Sequence, residues 1–402
     1  MNKRKYRLFI ICCLVLDLLV MLISGYRYLD RKIPDEIQIS RGKKTEDVTE
    51  VLSTPFVTFE EAVTVSQDGG YILPCKLLGY IPFKEIKVTP ADDQEIYVSG
   101  STIGIYMQTE GVLVIDTGEI QNRNGETEEP ARNIIRQGDY IISFNGEKIS
   151  TKRELIDDIS ELDGSEVTLG ISRKGESIPV SVTPVKDKKG DYKLGIWVRD
   201  DTQGIGTLTY VDQNGALGHG ISDIDTAQLL NIRNGALYKA RILAINKGSK
   251  GNPGELAGYI CYDDRNILGT IEANSRNGIY GQFTGIADDA ITLKKMPAAY
   301  KQEVKIGTAT ILCSTDGEVK EYDAEIRKID LNHEDTNKSF VIKVTDKELL
   351  EATGGIVQGL SGSPVIQNGK IIGAVTHVFV QDASSGYGIF IENMLKNTER
   401  LF

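Results

Sequence analysis

The sequence predicts a mainly β protein that is preceded by one N-terminal membrane helix. The 402 residues include 41 glycines but only 11 prolines and one tryptophan. Short apolar stretches rich in Val and Ile alternate with Gly and Asn-Gly turns, which is typical of strands joined by tight connections. An apolar run of helical length lies near the N-terminus. At roughly 150 residues per domain, the length predicts two or three domains.

The charge balance and the cysteines exclude several classes of function. With 46 basic and 57 acidic side chains, the net charge is -11. This charge opposes non-specific binding to nucleic acid, so we expect no nucleic acid partner. The five cysteines show no CxxC spacing, which predicts neither a zinc site nor a disulfide framework. We therefore expect no metal and no cofactor.

Residues 1–33 are predicted to form a membrane anchor or an export signal. Four basic residues precede an apolar run from Leu8 to Gly25, and as a helix this run would rise about 27 Å, close to the hydrocarbon thickness of a bilayer. Asp17 interrupts the run at a cost of about 2.5–3.5 kcal/mol, which the aliphatic residues offset. No small-residue cleavage site stands out, which favours an uncleaved anchor. The flanking charges favour a cytoplasmic N-terminus and an extracytoplasmic folded part.

Residues 34–99 are expected to form a linker and a small β-rich element. Their beginning is polar, and they then alternate between apolar and polar residues in stretches such as Tyr71–Pro74 and Ile86–Val88.

Residues 100–198 combine turns, strands and a helix in a recognisable order. Gly100–Ile105 (GSTIGI) opens a strand, a Gly-Asp turn at Gly138 leads into the strand 140–144, and Thr151 with Glu154 fits a helix capping box. This order resembles a PDZ domain of the bacterial type. The resemblance implies that an extended peptide adds to a strand edge while backbone N–H groups capture its terminal carboxylate. The residues expected to form this loop are Ser101, Thr102, Ile103, Gly104 and Ile105.

Residues 199–402 are predicted to form a second β-rich domain. It contains strands such as Ile205–Val211 and Ala309–Cys313, separated by Gly and Asn-Gly turns. Many short strands indicate a barrel or a sandwich, and about 200 residues suffice for two small barrels.

The sharpest catalytic motif is Gly359–Pro364 (GLSGSP), which precedes a predicted hairpin. A serine between glycines can present its hydroxyl in a tight turn while neighbouring N–H groups stabilise an oxyanion. The motif resembles the GDSGGP segment of trypsin-like serine peptidases. This resemblance implies a double β-barrel, Ser361 as nucleophile, and the N–H groups of Gly359 and Ser361 as oxyanion hole. Leu360 and Ser363 depart from the pattern, so activation through a salt bridge to a new N-terminus does not carry over.

A serine nucleophile needs a base, and the chain has three histidines. His219 is preferred because flanking glycines allow its imidazole to approach another barrel closely. His377 is the second candidate; it follows the strand beyond Ser361 and could line a specificity pocket. His333 lies in a polar stretch and is expected to be a solvated loop residue.

The residues themselves leave the third triad member open. Asp346 lies 15 residues before Ser361, which is an unusual position for a trypsin-like enzyme. Asp223 and Asp225 lie close to His219 and are alternatives. Any of these carboxylates could orient an imidazole.

The order of the motifs resembles one family closely. A membrane anchor, a PDZ unit, Ala216–Gly220 (ALGHG), Gly355–Pro364 and Thr376–Phe379 follow one another as in the stage IV sporulation protein B peptidases of endospore-forming bacteria. The resemblance covers nearly everything after the anchor.

This resemblance implies the catalytic triad and a biological role. The triad would be His219, Asp346 and Ser361. The enzyme would be made in the forespore and exported to the space between the two spore membranes. It would there cleave itself and then a regulator of an intramembrane metalloprotease, which releases a late mother-cell sigma factor.

Two other functions compete with a signalling serine endopeptidase. The first is a PDZ peptide-binding scaffold with an inactive peptidase-like domain, and the presence of Ser361 and His219 weighs against it. The second is a periplasmic quality-control protease of the high-temperature-requirement type. Such a protease carries its PDZ unit after the protease domain, whereas here the PDZ unit comes first.

Overall fold

A long helix, a small sheet, a PDZ unit and a pair of β-barrels follow one another in the computed structural model. The structure describes residues 3–41, 45–64, 69–212, 215–217, 220–223, 225–226, 228–284, 291–332 and 337–401. Two of the three candidate bases, His219 and His333, lie outside the described residues. The predicted mainly β fold with an N-terminal apolar helix is confirmed.

The N-terminal helix α1 (Lys3–Lys32) is long and apolar enough to cross a membrane between Phe9 and Lys32. Its apolar window is not buried against the rest of the chain. The C-terminal end of α1 does contact the rest of the chain, because Leu29 and the following Ile33 are buried in the core of the next unit. The apolar helix is thus attached directly to the folded part.

A small five-stranded sheet follows α1. Its strands run in the order β1-β5-β4-β2, with β3 also pairing with β4 and β1 parallel to β5. The elements are β1 (Glu36–Ser40), α2 (Thr45–Leu52), β2 (Val57–Phe59), β3 (Val63–Thr64), β4 (Tyr71–Leu77) and β5 (Ile81–Ala91).

The PDZ unit lies within the next stretch of chain. The elements of this stretch are β6 (Glu95–Val98), β7 (Thr102–Thr117), β8 (Ile120–Gln121), β9 (Thr127–Glu128), β10 (Tyr140–Phe144), β11 (Glu147–Lys148), α3 (Lys152–Ser160), β12 (Val167–Arg173), β13 (Glu176–Val182), β14 (Val185–Lys186), β15 (Tyr192–Lys193) and β16 (Ile196–Thr207).

Strands β7 and β16 pair along almost their whole length and join two hydrophobic cores. The chain turns at Gly111, whose φ is 87°. Before it, Ile103 belongs to the core of the first barrel; after it, Val112 and Val114 belong to the PDZ core, while Leu113 between them still belongs to the barrel core. The PDZ unit is therefore inserted between β7 and β16 and packs directly against the first barrel. The sequence predicted that the PDZ domain ends at residue 198 and that the barrel domain begins at residue 199. In the structure the first barrel already begins at β6, before the PDZ unit.

The first barrel is completed by strands from the following 90 or so residues. Two sheets share its core; one contains β7, β16, β19 and β21, and the other has the order β22-β23-β18-β17-β6-β24. The new elements are β17 (Tyr210–Val211), β18 (Gly215–Leu217), β19 (Ile232–Asn246), β20 (Glu255–Ile260), β21 (Ile267–Ile271), β22 (Ala273–Ser275), β23 (Gly278–Gly281) and β24 (Lys294–Pro297), with 3-10 turns at Asp264–Asn266 and Lys301–Glu303.

The second barrel is closed, with the strand order β25-β26-β27-β30-β29-β28. Its interior holds fully buried side chains such as Ile326, Phe340 and Val365. The elements are β25 (Gly307–Ser314), β26 (Val319–Ile329), β27 (Phe340–Val344), α4 (Lys347–Thr353), β28 (Pro364–Gln367), β29 (Lys370–Phe379), β30 (Asp382–Phe390) and α5 (Ile391–Leu401).

Local sequence signals in the PDZ unit correspond to observed structure. The hydroxyl of Thr151 accepts the N–H of Glu154, and the Glu154 carboxylate accepts the N–H of Thr151 in return, so the predicted capping box starts α3. The N–H groups of Ser150 and Thr151, which both donate to this carboxylate, hold the pKa of Glu154 below its usual value. Asn145 and Gly146 both have positive φ, 48° and 91°, as expected of an Asn-Gly hairpin turn.

The predicted peptide-binding loop, Ser101 to Ile105, requires a correction. Thr102–Ile105 lies in β7, where it pairs with β16 on one side and, at Ile103–Ile105, with β19 on the other. Ile103 and Ile105 are buried in the first barrel. With both edges occupied, this stretch has no backbone groups for an added peptide strand. Within the described residues, β16 near 196–199 pairs only with β7, and α3 lies beside it.

Gly104→Ala should destabilise the first barrel by about 1–3 kcal/mol, because overpacking strains a well-packed core. A Cβ at Gly104 would lie 2.6 Å from the side chain of Ile260. The free energy of unfolding from urea titration measures the effect.

Gly204→Ala in the paired strand is the matched control. Nothing lies within 4 Å of a Cβ at Gly204, so its stability should stay within about 0.5 kcal/mol of wild type. Equal stabilities of the two variants would contradict the packing described for Gly104.

Candidate active site

The predicted nucleophile lies in a tight turn between α4 and β28. Gly359 and Gly362 have φ values of 99° and 95°, a region that side chains disfavour. A Cβ on Gly362 would lie 2.1 Å from the carbonyl oxygen of Thr207. Both glycines of the GLSG sequence are thus required, since they turn the chain and let it approach the neighbouring strand.

The two serines of this turn differ in accessibility. Ser361 is partly exposed and lines a cavity, and its hydroxyl donates to the carbonyl oxygen of Thr376 at 2.8 Å. Ser363 is fully buried, and its hydroxyl donates to the carbonyl oxygen of Leu360 at 2.6 Å. Ser361 is therefore the serine of this pair that can meet a substrate.

Some backbone N–H groups of the turn donate to carbonyl oxygens within the protein, whereas two others do not. Those of Gln358, Leu360, Gly362 and Ser363 all donate to backbone carbonyls. Within the described part of the chain, the N–H groups of Gly359 and Ser361 have no acceptor. These are the two donors predicted to form an oxyanion hole, a role that needs N–H groups without an internal partner.

An apolar cavity of about 370 Å³ opens beside Ser361. It lies between the two barrels, as ligand sites often do between packed units. Its aliphatic lining comes from both of them: Ile105, Ile205, Ile221, Ile279, Ile356, Val357 and Val378. The cavity has room for a large apolar side chain directly beside the serine hydroxyl.

The nucleophile turn is fastened to the end of β16. The hydroxyl of Thr207 donates to the carbonyl of Gly359 at 2.7 Å, and its N–H donates to the carbonyl of Ser361 at 3.2 Å. The hydroxyl of Thr209 donates to the carbonyl of Gly362 at 2.6 Å. Both threonines are buried. The strand that returns from the PDZ unit thus positions the residues around the nucleophile.

The histidines near this turn are only partly described. His377 lines the cavity beside Ser361 and also a neighbouring cavity of about 680 Å³. His219 lies outside the described residues, whereas the nearby Ile221 and Ser222 line the same cavity as Ser361. The choice of base therefore stays a prediction.

Asp346 has a structural task in addition to the predicted one. It is the N-cap of α4, where Oδ1 accepts the N–H of Leu349 at 3.0 Å and Oδ2 accepts the N–H of Asp323 at 3.4 Å. Asp346 is not among the described residues that line the cavity beside Ser361. Its place in a triad stays a prediction.

The alternative carboxylates, Asp223 and Asp225, are both bound to Arg199 of β16. Asp223 is buried, and its Oδ2 lies 2.5 Å from Nη1 of Arg199, while Asp225 lies 3.0 Å from Nη2. Oδ1 of Asp223 also accepts the N–H groups of Asp225 and Thr226. These contacts hold Asp223 and Asp225 against β16, the strand that connects the PDZ unit to the first barrel.

Family models match both parts of the molecule. A PDZ domain model matches residues 101–183, and the SpoIVB peptidase S55 model matches residues 190–395, just over half of the chain. The chain belongs to the SpoIVB peptidase S55 family. It is therefore a serine peptidase of the sporulation type with a PDZ domain, as the sequence predicted.

Individual relatives match this S55 peptidase over limited regions. LL2128 of Lactococcus lactis, which carries the name of a zinc metalloprotease, is 38% identical over 78 residues, covering 19% of this chain and 18% of that protein. The chain thus spans less than a fifth of the curated relative. The PDZ domain of the SdrC-like protein from Listeria monocytogenes is 23% identical, covers 22% of this chain and 87% of that one, and has a TM-score of 0.19. The active form of the Rv3671c protease of M. tuberculosis is 15% identical, covers 50% and 74%, and has a TM-score of 0.25.

Thr207 and Thr209 are positioning residues that sequence reasoning missed in this S55 peptidase. Their acceptors lie more than 150 residues away in the chain. The one available signal is the Thr-Leu-Thr alternation at the end of a strand, which does not reveal a partner.

Thr207→Val should slow the reaction of Ser361 with a fluorophosphonate probe by about tenfold, because the carbonyl of Gly359 loses its buried donor and the turn relaxes. The labelling rate of the purified chain measures this effect. Thr207→Ser retains a hydroxyl and should recover most of the rate. Wild-type labelling of a folded Thr207→Val protein would show that this contact does not position the turn.

Proposed function

We propose that this S55 peptidase is a membrane-anchored endopeptidase that uses Ser361, His219 and Asp346 as its triad and the N–H groups of Gly359 and Ser361 as its oxyanion hole. The observation that carries the proposal is the pair of unused N–H donors flanking an accessible serine at an apolar cavity. Gly359 and Ser361 are both partly exposed at the cavity, so their N–H groups are available to the oxygen of a bound substrate. The same features disfavour an inactive peptidase-like scaffold.

The reaction follows from the contacts of Ser361. The hydroxyl of Ser361 donates a hydrogen bond to the carbonyl of Thr376. For catalysis, His219 accepts the hydroxyl proton as Oγ attacks the peptide carbonyl carbon. The carbonyl oxygen becomes an oxyanion that the two N–H groups stabilise. Breakage of the C–N bond passes the proton from His219 to the leaving amine. Water then hydrolyses the acyl-enzyme by the same route in reverse.

The cavity indicates the substrate residue next to the scissile bond. Its wall is aliphatic, and the described lining contains no acidic or basic side chain other than His377. Burying a large apolar side chain there stabilises the complex by about 1.5–3 kcal/mol, whereas a charged one would be desolvated without a partner. We expect cleavage after a large apolar residue.

The N-cap role of Asp346 is compatible with a triad role. A carboxylate offers about four lone-pair positions, and the N–H groups of Leu349 and Asp323 use two of them. The remaining positions can accept an imidazole N–H. Fixing the carboxylate at the start of α4 would also hold that imidazole in one orientation.

The biological role extends the same proposal. The apolar helix α1 is consistent with anchoring in a membrane, with a cytoplasmic N-terminus and the peptidase in the space between the two spore membranes. There the enzyme would cleave itself and then a protein regulator of an intramembrane metalloprotease, activating a late mother-cell sigma factor. The PDZ domain would bring such protein substrates to the peptidase.

Ser361→Ala and His219→Ala should each abolish self-cleavage and fluorophosphonate labelling, because nucleophile and base act as one unit. Incubation of the purified chain followed by intact mass measurement gives the rate. Ser363→Ala is the matched control and should retain labelling, since its hydroxyl is buried. Processing of Ser361→Ala at the wild-type rate would remove Ser361 from the role of nucleophile.

Asp346→Asn should lower the cleavage rate by several orders of magnitude, because asparagine cannot stabilise an imidazolium. Its stability should fall by about 1 kcal/mol at most, because the asparagine oxygen still caps α4 while the long contact of Oδ2 with the N–H of Asp323 is lost. Cleavage assays and urea titrations on the same samples separate the two effects.

Asp223→Asn should show the opposite profile. It weakens the buried contact with Arg199 and should cost about 1–3 kcal/mol of stability, with a much smaller loss of rate; Asp225→Asn should change both less. An active Asp346→Asn enzyme beside a folded but inactive Asp223→Asn enzyme would move the third triad role to Asp223.

A further inference from the structure

A third cavity, of about 730 Å³, lies between the C-terminal end of α1 and the second barrel. We call it the juxtamembrane pocket. Its walls include aliphatic residues such as Leu52, Val304 and Ile329. Six basic side chains also line it: Arg27, Arg31, Lys32, Lys305, Arg327 and Lys328. The described lining contains no Asp or Glu, although the whole chain carries a net charge of -11.

Only part of this positive charge is neutralised nearby. Arg31 pairs with Asp330 at 3.6 Å, and Arg327 pairs with Glu325 at 2.9 Å. Six cations minus these two pairs leaves four. Within the described chain, no ion pair involves the remaining cations, which are Arg27, Lys32, Lys305 and Lys328. The pocket is therefore suited to an anion.

The pocket lies at the level of a lipid headgroup. The apolar run of α1 ends at Gly25, and Arg27 follows it by two residues, or about 3 Å along the helix axis. The headgroup layer is about 5–8 Å thick on each side of the hydrocarbon core. Lys305 and Lys328 reach the same pocket from the second barrel. If α1 spans the bilayer, the pocket begins within this layer at Arg27 and extends to its outer boundary at Arg31 and Lys32, about 9–11 Å from Gly25 along the helix.

Within the described residues, two buried side-chain oxygens at the pocket lack a hydrogen-bond partner, although Nε2 of Gln302 donates to the carbonyl of Gln38. Gln302 is more than nine-tenths buried, and its Oε1 has no donor, while the hydroxyl of Thr54 is buried and unpartnered as well. A buried acceptor without a donor costs about 1–3 kcal/mol. A ligand with hydroxyl groups beside its charge would satisfy both side chains.

We propose that the juxtamembrane pocket binds the headgroup of an anionic phospholipid from the bilayer that α1 spans. The lysines and arginines hold the phosphodiester, and Gln302 and Thr54 take the hydroxyls of a glycerol headgroup, which points to phosphatidylglycerol. Basic pockets beside membrane helices bind anionic headgroups in this way. The inference rests on the proposed membrane anchoring but not on the proposed catalytic triad.

The test uses the full chain in nanodiscs that contain equal amounts of phosphatidylcholine and phosphatidylglycerol. Native mass spectrometry after release from the disc counts the lipids that stay bound. Wild type should retain phosphatidylglycerol at least tenfold over phosphatidylcholine. The double variant Lys305→Gln/Lys328→Gln should lose about tenfold of this preference, since each lysine near an anionic lipid contributes to binding. Equal retention of the two lipids by wild type would overturn the proposal.

A control variant and two further conditions make the result specific. Lys148→Gln/Lys189→Gln removes the same charge from exposed positions of the PDZ unit and should leave the preference unchanged; equal losses in both double variants would mean unspecific attraction. Phosphatidylserine in place of phosphatidylglycerol should be retained several-fold less, and equal retention would remove the contacts of Gln302 and Thr54. Displacement of the lipid by millimolar inorganic phosphate would overturn a lipid site in favour of a free anion site.

Alkaline carbonate extraction of proteoliposomes tests the anchoring separately. Release of the chain by carbonate would refute the anchoring and this inference with it. A chain that resists extraction yet shows no lipid preference would refute the pocket alone.

Discussion

The contact between Thr207, Thr209 and the nucleophile turn is the interaction on which the active site depends. The turn has no regular secondary structure, so its carbonyls need partners from elsewhere, and the two buried threonines provide them. With its carbonyls held from outside, the turn leaves the N–H groups of Gly359 and Ser361 without an acceptor among the described residues. The same strand, β16, runs back to the PDZ unit. The end of β16 therefore positions the nucleophile turn, and the same strand connects the barrel to the PDZ unit.

Features with a local cause could be predicted from the sequence. The capping box at Thr151 and the turn at Asn145–Gly146 depend on neighbouring residues, and both occur as expected. The role of Gly100–Ile105 could not be predicted in this way, because a strand has the same alternating pattern whichever sheet it joins. After Gly111, alternate residues of β7 face the PDZ core and the first-barrel core, and this arrangement depends on contacts with β16 and β19, which lie 79 to 136 residues away. The PDZ resemblance was correct, while its peptide-binding loop was placed in a barrel strand.

The candidate site also combines features that could be predicted from the sequence with features that could not. The GLSGSP motif identifies Ser361 and its flanking donors, because the chemistry and the turn lie within six residues. Without the family resemblance, the sequence could not show which aspartate is the third triad member. The role of a carboxylate depends on its spatial neighbours, which the sequence does not show. In the structure, Asp223 is bound by Arg199 and Asp346 caps a helix. These are tertiary contacts that the spacing of residues does not reveal.

The position of the PDZ unit has a further consequence for the active site. Its strands supply Tyr140 and Ser172 to the wall of the cavity of about 680 Å³. His377 lines this cavity and also the one beside Ser361. The two cavities therefore adjoin, and the PDZ unit forms part of the surroundings of the catalytic cleft. A shift of the PDZ unit would change the shape of the space beside the nucleophile.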